Sequence, residues 1–387
     1  MTVPEREGVR KQRKDGGPDA NRINTGCISA DYARGCFYHD VPVKNCDEDL
    51  LGRAAAAGRL AAMIAEDPGS ECCAIGITGT RGSGKSSMIN MVCDKLREYE
   101  NIFVLEFDPA LYRASGDMTV SFFRTVTSEL RALSREPPDL GKHKPGYTRI
   151  AGNTLKIVDR TIKMKVVGEL SELSGSIVSS EEEPVKEIRR KISEQLRKSG
   201  CKLVIAIDSL DMLTAVEISQ VLRLIRSTAG FDNTFYILGY CEGFFSRTAT
   251  STYYAWDLGK SMQAEIRIPE PGEALAGKVL RQELPGILDK FGIAQSGSVS
   301  EACDSVSPVN LREVYRLLNN LAVRLSLYPD AERCGECLAM SYLETANPEF
   351  CRRKPDAGTA REIENRFGKP ACERAMKALR FLYPETE

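Results

Sequence analysis

Eight residues, Gly79-Thr80-Arg81-Gly82-Ser83-Gly84-Lys85-Ser86, govern how this chain can fold, because they fit G-x-x-x-x-G-K-[ST] at every fixed position. A short apolar run, Cys72 to Ile77, precedes them, and Met88, Met91, Val92 and Leu96 follow at helical spacing. A strand, a glycine-rich turn and a helix in that order form a phosphate cradle. The glycines let successive N–H groups point inward, and the helix opening at Lys85 adds its positive dipole end. Gly79, Thr80, Arg81, Gly82, Ser83, Gly84, Lys85, Ser86 and Ser87 are the expected nucleotide contacts. Lys85 would reach the β and γ phosphates, and the Ser86 hydroxyl would ligate magnesium. A chance match in a chain of this length has odds on the order of one in a hundred.

Such a loop needs an acid for the metal, delivered by a neighbouring strand. Lys202 to Asp208 supplies it: an apolar run that ends in a carboxylate at the sheet's C-terminal edge, where ligands sit. The plainer alternative for Asp208 is a helix N-cap, and Asp211 reads either as a site residue or as the cap of the helix that follows. No Asn-Lys-x-Asp stretch occurs, which favours ATP over GTP.

Around these motifs the chain alternates strands and helices. Strands are expected at Cys72–Ile77, Ile102–Phe107, Leu203–Ile207, Thr234–Tyr240 and, more weakly, Ala264–Ile268. Helices are expected from Asp47 to Asp67, after Lys85, from Val120 to Leu133, and where Val221, Leu224, Ile225 and Thr228 line up. The pattern predicts an α/β fold, a P-loop NTPase parallel sheet core with a helical C-terminal domain. Residues 1–38 read as a disordered tail and 39–270 as the core. A charged, serine-rich insertion at about 135–199 ends in a helix from Pro184 to Lys198. Residues 271–387 are the helical domain, with its clearest apolar stripe at Leu311, Val314, Leu318, Leu321, Ala322 and Leu325.

Composition excludes several classes. The 53 basic and 54 acidic residues leave a net charge of −1, which argues against a dominant electrostatic footprint for nucleic acid or anionic lipid and leaves room for a local patch. No stretch approaches the roughly 18 apolar residues that a membrane span needs. Thirteen scattered cysteines, with no secretory signal at the start, read as free thiols in a cytoplasmic protein. Cys334-Gly-Glu-Cys337 with Cys351 and Cys372 could make a four-thiolate zinc site, but loose spacing favours unligated thiols.

The chain resembles the KAP family of P-loop NTPases, which includes phage-exclusion proteins and membrane-associated signalling scaffolds. The likeness runs over about residues 39–384. It covers the lead-in Asp40-Val-Pro-Val43 and Asp47-Glu-Asp-Leu-Leu-Gly-Arg53. It also covers Phe107-Asp-Pro-Ala-Leu-Tyr112, where Asp108 and Ala110 stand for the family's asparagine and tryptophan. Arg267 to Pro271 resembles the segment closing the nucleotide domain. Asn310-Leu-Arg-Glu-Val-Tyr-Arg-Leu-Leu-Asn319 resembles a family helix whose arginines fall on Arg312 and Arg316. By that resemblance Arg312 is a candidate sensor of the γ-phosphate.

Departures from the family shape the expected activity. The third strand usually ends Asp-Asp-Leu-Asp-Arg, and here it reads Asp208-Ser209-Leu210-Asp211-Met212. The second acid, a water-polarising base, is replaced by Ser209. The fourth strand usually ends near an aspartate, where this chain has Cys241 and Glu242. Many relatives carry paired membrane spans where the 135–199 insertion lies. The expectation is therefore magnesium–ATP binding with slow hydrolysis, used as a conformational switch, with Asp211, Glu242 and Arg312 as candidate catalytic residues. A protein partner or self-association goes with a switch. The alternatives are a scaffold that binds nucleotide without turnover and a small-acceptor phosphotransferase.

Overall fold

The computed structural model describes residues 37–69, 71–111, 200–228, 230–243, 262–294, 297–327, 333–350 and 355–384, with 121, 122, 125, 190, 193, 194 and 196–198 singly. Most of the expected helix from Val120 to Leu133, most of the 135–199 insertion and tail residues 1–36 lie outside them.

Among the described residues, five strands form one parallel sheet: β1 (Cys73–Gly79), β2 (Ile102–Glu106), β3 (Lys202–Ile207), β4 (Thr234–Cys241) and β5 (Ala264–Arg267). Their order is β2-β3-β4-β1-β5, so β4 lies between the two strands that carry the sequence motifs. Asp208 is therefore not on the strand next to β1, as the sequence reading had it. The period-2 alternation of strands explains the two cores. Leu203, Ile205, Ile207, Tyr236, Leu238 and Tyr240 face one side, and Val204, Ala206, Phe235 and Ile237 face the other.

Helices cover both faces. On one side lie α1 (Ala54–Glu66) and α2 (Lys85–Leu96), burying Ala57, Leu60, Ile64, Met88, Val92 and Leu96. On the other lies α3 (Ala215–Arg223), which buries Ile218, Val221 and Leu222. A π-helical turn, Leu224–Thr228, follows it and keeps Leu224 and Ile225 in the core.

Helix α1 starts seven residues later than the expected Asp47. Asn45 caps a separate short turn, Cys46–Glu48, and the chain then bends through Gly52 at φ +69°. The Asp49 carboxylate accepts from Leu51 N–H at 2.9 Å and Ala54 N–H at 2.7 Å, supplying the donors' partners just before α1. At the other end of α1 the buried Lys202 ammonium donates to the carbonyls of Ile64 (2.9 Å), Ala65 and Asp67. A cation there satisfies carbonyls that the helix leaves open.

The C-terminal region is helical: α4 (Gly272–Lys290), α5 (Gly297–Ser305), α6 (Leu311–Leu327), α7 (Cys334–Ala346), α8 (Ala357–Phe367) and α9 (Lys369–Leu382). Of the stripe read from the sequence, Val314, Leu318, Leu321, Ala322 and Leu325 of α6 are buried and Leu311 is partly buried; Leu317 is buried beside them. Tyr38, placed by the sequence reading in the tail, belongs to this core. Its ring stacks on Tyr315 at 5.5 Å and its hydroxyl donates to Glu283 Oε2 at 3.1 Å. Beyond it, Val43 reaches α2, its N–H donating to Ser87 Oγ at 3.3 Å and its carbonyl accepting from Asn90 at 2.8 Å. Among the described residues, no helix is long and apolar enough to cross a membrane.

Candidate nucleotide site

The loop between β1 and α2 turns through Gly82 and Gly84, at φ +89° and +91°, values that an L side chain rarely adopts. Gly84 is the residue before α2, so the helix opens directly into the loop's concave side. The Lys85 ammonium donates to the carbonyls of Gly79 (3.2 Å) and Thr80 (2.9 Å) and lies 3.5 Å from Cys241 Sγ. Thr80 Oγ1 donates to Glu270 at 2.6 Å, and exposed Arg81 lies 3.5 Å from the Met212 sulfur. Ser83 Oγ is fully buried and has no hydrogen-bond partner among the described residues. Ser86 stands in the first turn of α2, and Ser87 Oγ accepts the Val43 N–H.

The acids arrive from β3. Ile207 pairs with Leu238, so Asp208 leaves the sheet beside Gly239 of β4. Its carboxylate occupies the space that a Cβ on Gly239 would fill, and Oδ1 accepts the Ser209 N–H at 2.7 Å. Ser209 sits in the left-handed region, at φ 57° and ψ 39°. Asp208 is thus free of the N-cap role. Asp211 does not cap α3 either: Thr214 does, in a capping box with Glu217. Asp211 instead accepts from Cys241, the N–H at 3.2 Å and the thiol at 3.1 Å. Burial, and then the Asp211 contact, push the Cys241 thiol up, with Lys85 opposing. The thiol therefore stays a protonated donor.

Glu242 donates its N–H to the Gly79 carbonyl at 3.0 Å, and its carboxylate pairs with Arg267 at 2.9 Å. Lys85, Asp208, Asp211 and Glu242 thus all meet the end of β4, between Gly239 and Glu242. Arg312 is in an ion pair with Asp40. Its near neighbour Asn310 faces the loop, 3.1 Å from where a Gly82 Cβ would stand.

Four contributors escaped the sequence reading as site residues: Gly239, Asn310, Glu270 and Arg53. Arg53 donates to the carbonyls of Ser83 and, at 2.6 Å, Pro269. Each acts through a partner distant in sequence, so no local pattern marks it. The thiol set gathers no metal site among the described residues. Cys334 is buried in α7, Cys372 donates to the Ala360 carbonyl at 3.2 Å, and Cys351 lies outside those residues.

A parallel sheet with this loop between a strand and the helix after it defines a P-loop NTPase domain, a nucleotide-binding class. The chain belongs to the KAP family, whose P-loop domain matches residues 53–328. It is similar to the phage T7 exclusion protein of Escherichia coli strain K12, 22% identical over 337 residues. That match covers 75% of this chain and 43% of the relative, so the chain spans less than half of that protein's length. Solved structures with some likeness include the ORC2 protein of Aeropyrum pernix in ADPNP–ADP complexes, 10% identical, TM-score 0.42, covering 80% of this chain and 71% of that one. A Walker-type ATPase of Pyrococcus abyssi is 13% identical, TM-score 0.42, with coverage of 89% and 93%. Cdc6p of Pyrobaculum aerophilum is 13% identical, TM-score 0.41, with coverage of 90% and 84%.

Proposed function

We propose that the domain binds magnesium–ATP, hydrolyses it slowly and uses the cycle as a conformational switch. The observation that carries this reading is the gathering of Lys85, Asp208, Asp211 and Glu242 at the end of β4, against the phosphate loop. The ion's donor set fits: the Ser86 hydroxyl and the Asp208 carboxylate are hard oxygen ligands of the kind magnesium takes. When bound, the ion would neutralise charge on the β and γ phosphates. Ser86 and Asp208 would hold it, and Lys85 would turn from its own loop carbonyls to phosphate oxygens.

Slow turnover follows from the lack of a poised base among the described residues. A general base must reach the attacking water and take its proton. Asp211 is engaged by Cys241, Glu242 is paired with Arg267, and Ser209 offers only a hydroxyl. In the switch, Arg312 would exchange Asp40 for the γ-phosphate and so move α6. A protein partner, or a second copy, would read that movement. The same Ser209 favours a second reading, a scaffold that holds nucleotide without turnover. A turnover assay that scores ATP hydrolysis, acceptor phosphorylation and neither divides these readings. Hydrolysis at a slow but Lys85-dependent rate supports the first, and phosphate transfer to an acceptor contradicts it.

A further inference from the structure

Arg53 precedes α1 and directs its guanidinium at the underside of the phosphate loop. Nη1 donates to the Ser83 carbonyl and Nη2 to the Pro269 carbonyl at 2.6 Å. The group lies so close to Gly84 that a Cβ there would stand 2.7 Å from Nη1. Arg53 is half-buried, and partial burial lowers its pKa, with Asp49 opposing. Burying a cation against neutral carbonyls is unfavourable unless hydrogen bonds compensate it. A guanidinium is suited to that task because its rigid fork serves two acceptors at once.

The peptide it grips joins Ser83 to Gly84. In a trans peptide the carbonyl and the following N–H point in opposite directions. Holding the Ser83 carbonyl toward Arg53 therefore turns the Gly84 N–H the other way, to the loop's concave side. Inward-pointing N–H groups are what bind phosphate oxygens in such loops. The second carbonyl extends the effect. Residues 268–270 already brace the start of the loop: Ile268 N–H donates to the Thr78 carbonyl at 2.7 Å and Glu270 accepts from Thr80. Through Pro269, Arg53 links that brace to the loop's far half.

We propose that Arg53 is a positioning residue of the nucleotide site, fixing the Ser83–Gly84 peptide so that the Gly84 N–H meets phosphate. This rests on the reading of Gly79 to Ser86 as a nucleotide site, and the test separates the two. Arg53→Ala, Arg53→Lys and Lys85→Ala are made in the full chain. Magnesium–ATP affinity is measured by calorimetry, with and without low millimolar guanidinium, beside a thermal melt. Losing charge-assisted bonds that orient a binding group should weaken ATP by about ten- to a hundredfold in Arg53→Ala. Free guanidinium should restore part of that affinity to Arg53→Ala and none to Lys85→Ala. Arg53→Lys, a single point donor, should stay weakened at an unchanged melting temperature. Wild-type affinity in both Arg53 variants overturns the proposal. So does a loss in Arg53→Ala that tracks a lowered melting temperature and ignores guanidinium. Unchanged binding in Lys85→Ala overturns the nucleotide reading itself.

Discussion

The carboxylate of Asp208 rests against Gly239, in the volume that any side chain at position 239 would take. Because β4 separates β3 from β1, the acid must pass over β4 to face the phosphate loop, and a glycine makes the path. In Gly239→Ala the new Cβ would overlap Asp208 and come within 2.7 Å of Ile89 Cδ1. Overpacking of this kind costs about 1–3 kcal/mol. The variant should lose ATP affinity with magnesium present and keep it in EDTA. An equal loss in both, by calorimetry, would mean that Asp208 does not serve the ion.

Ser209 gives a second test. Its left-handed backbone is a conformation that aspartate tolerates better than serine, so Ser209→Asp should fold without added strain. The change restores the acid that the family carries beside Asp208. General-base assistance contributes about 10²–10⁴-fold, so even an imperfectly placed carboxylate should raise the rate measurably. ATP affinity should not tighten. Steady-state rates at saturating ATP decide it. A variant no faster than wild type, or a brisk wild type that Glu242→Gln stops, would place the base elsewhere.

The contrast between these residues and the loop explains what the sequence could convey. The β1–loop–α2 unit was legible because its pattern is continuous, and the near-unbroken apolar runs of β3 and β4 marked strands buried on both faces. Strand order was not, because the pairing of β4 with both β1 and β3 leaves no local trace. Asp211 could be read as a site residue or as a cap, because aspartate is a common N-cap just before a helix. Its partner, Cys241, is 30 residues away. The start of α1 was misread because acids at 47–49 resemble a first helical turn, whereas Asn45 and Gly52 break the chain there. Arg53 meets a carbonyl 216 residues further on, which no spacing rule could supply.

Asn319 holds the backbone of Tyr38 from both sides. Its Oδ1 accepts the Tyr38 N–H at 2.6 Å and its Nδ2 donates to the Tyr38 carbonyl at 2.8 Å. Asn319→Ala removes both bonds and should lower stability by about 1–3 kcal/mol in urea melts. Asn319→Asp keeps the acceptor and loses the donor, so it should fall between. Wild-type stability in Asn319→Ala would show that residues 37–43 are not fastened there.

Glu313 supplies a pH test. Burial pushes its carboxyl above the usual range. The Val309 N–H and Arg374 oppose this, Glu270 adds to it, and the Asn310 amide weakly opposes it. The folded value therefore exceeds the unfolded one, ordinarily about 4.5. Its contribution to stability is fully present below the unfolded value and is lost as pH rises through the folded one. Glu313→Gln cannot ionise, so its melting temperature should gain on wild type between pH 4.5 and neutrality. A difference that stays constant across that window would contradict the assignment.

If Gly79 to Ser86 holds the phosphates of a nucleotide, binding must depend on the Lys85 ammonium. That group lies among loop carbonyls and beside Cys241, within the cradle itself. Wild type and Lys85→Ala should be titrated with ATP and magnesium in a calorimeter, after their melts in buffer alone have been matched. Wild type should bind saturably and Lys85→Ala should show no detectable binding. Equal affinity in the two proteins would contradict that dependence.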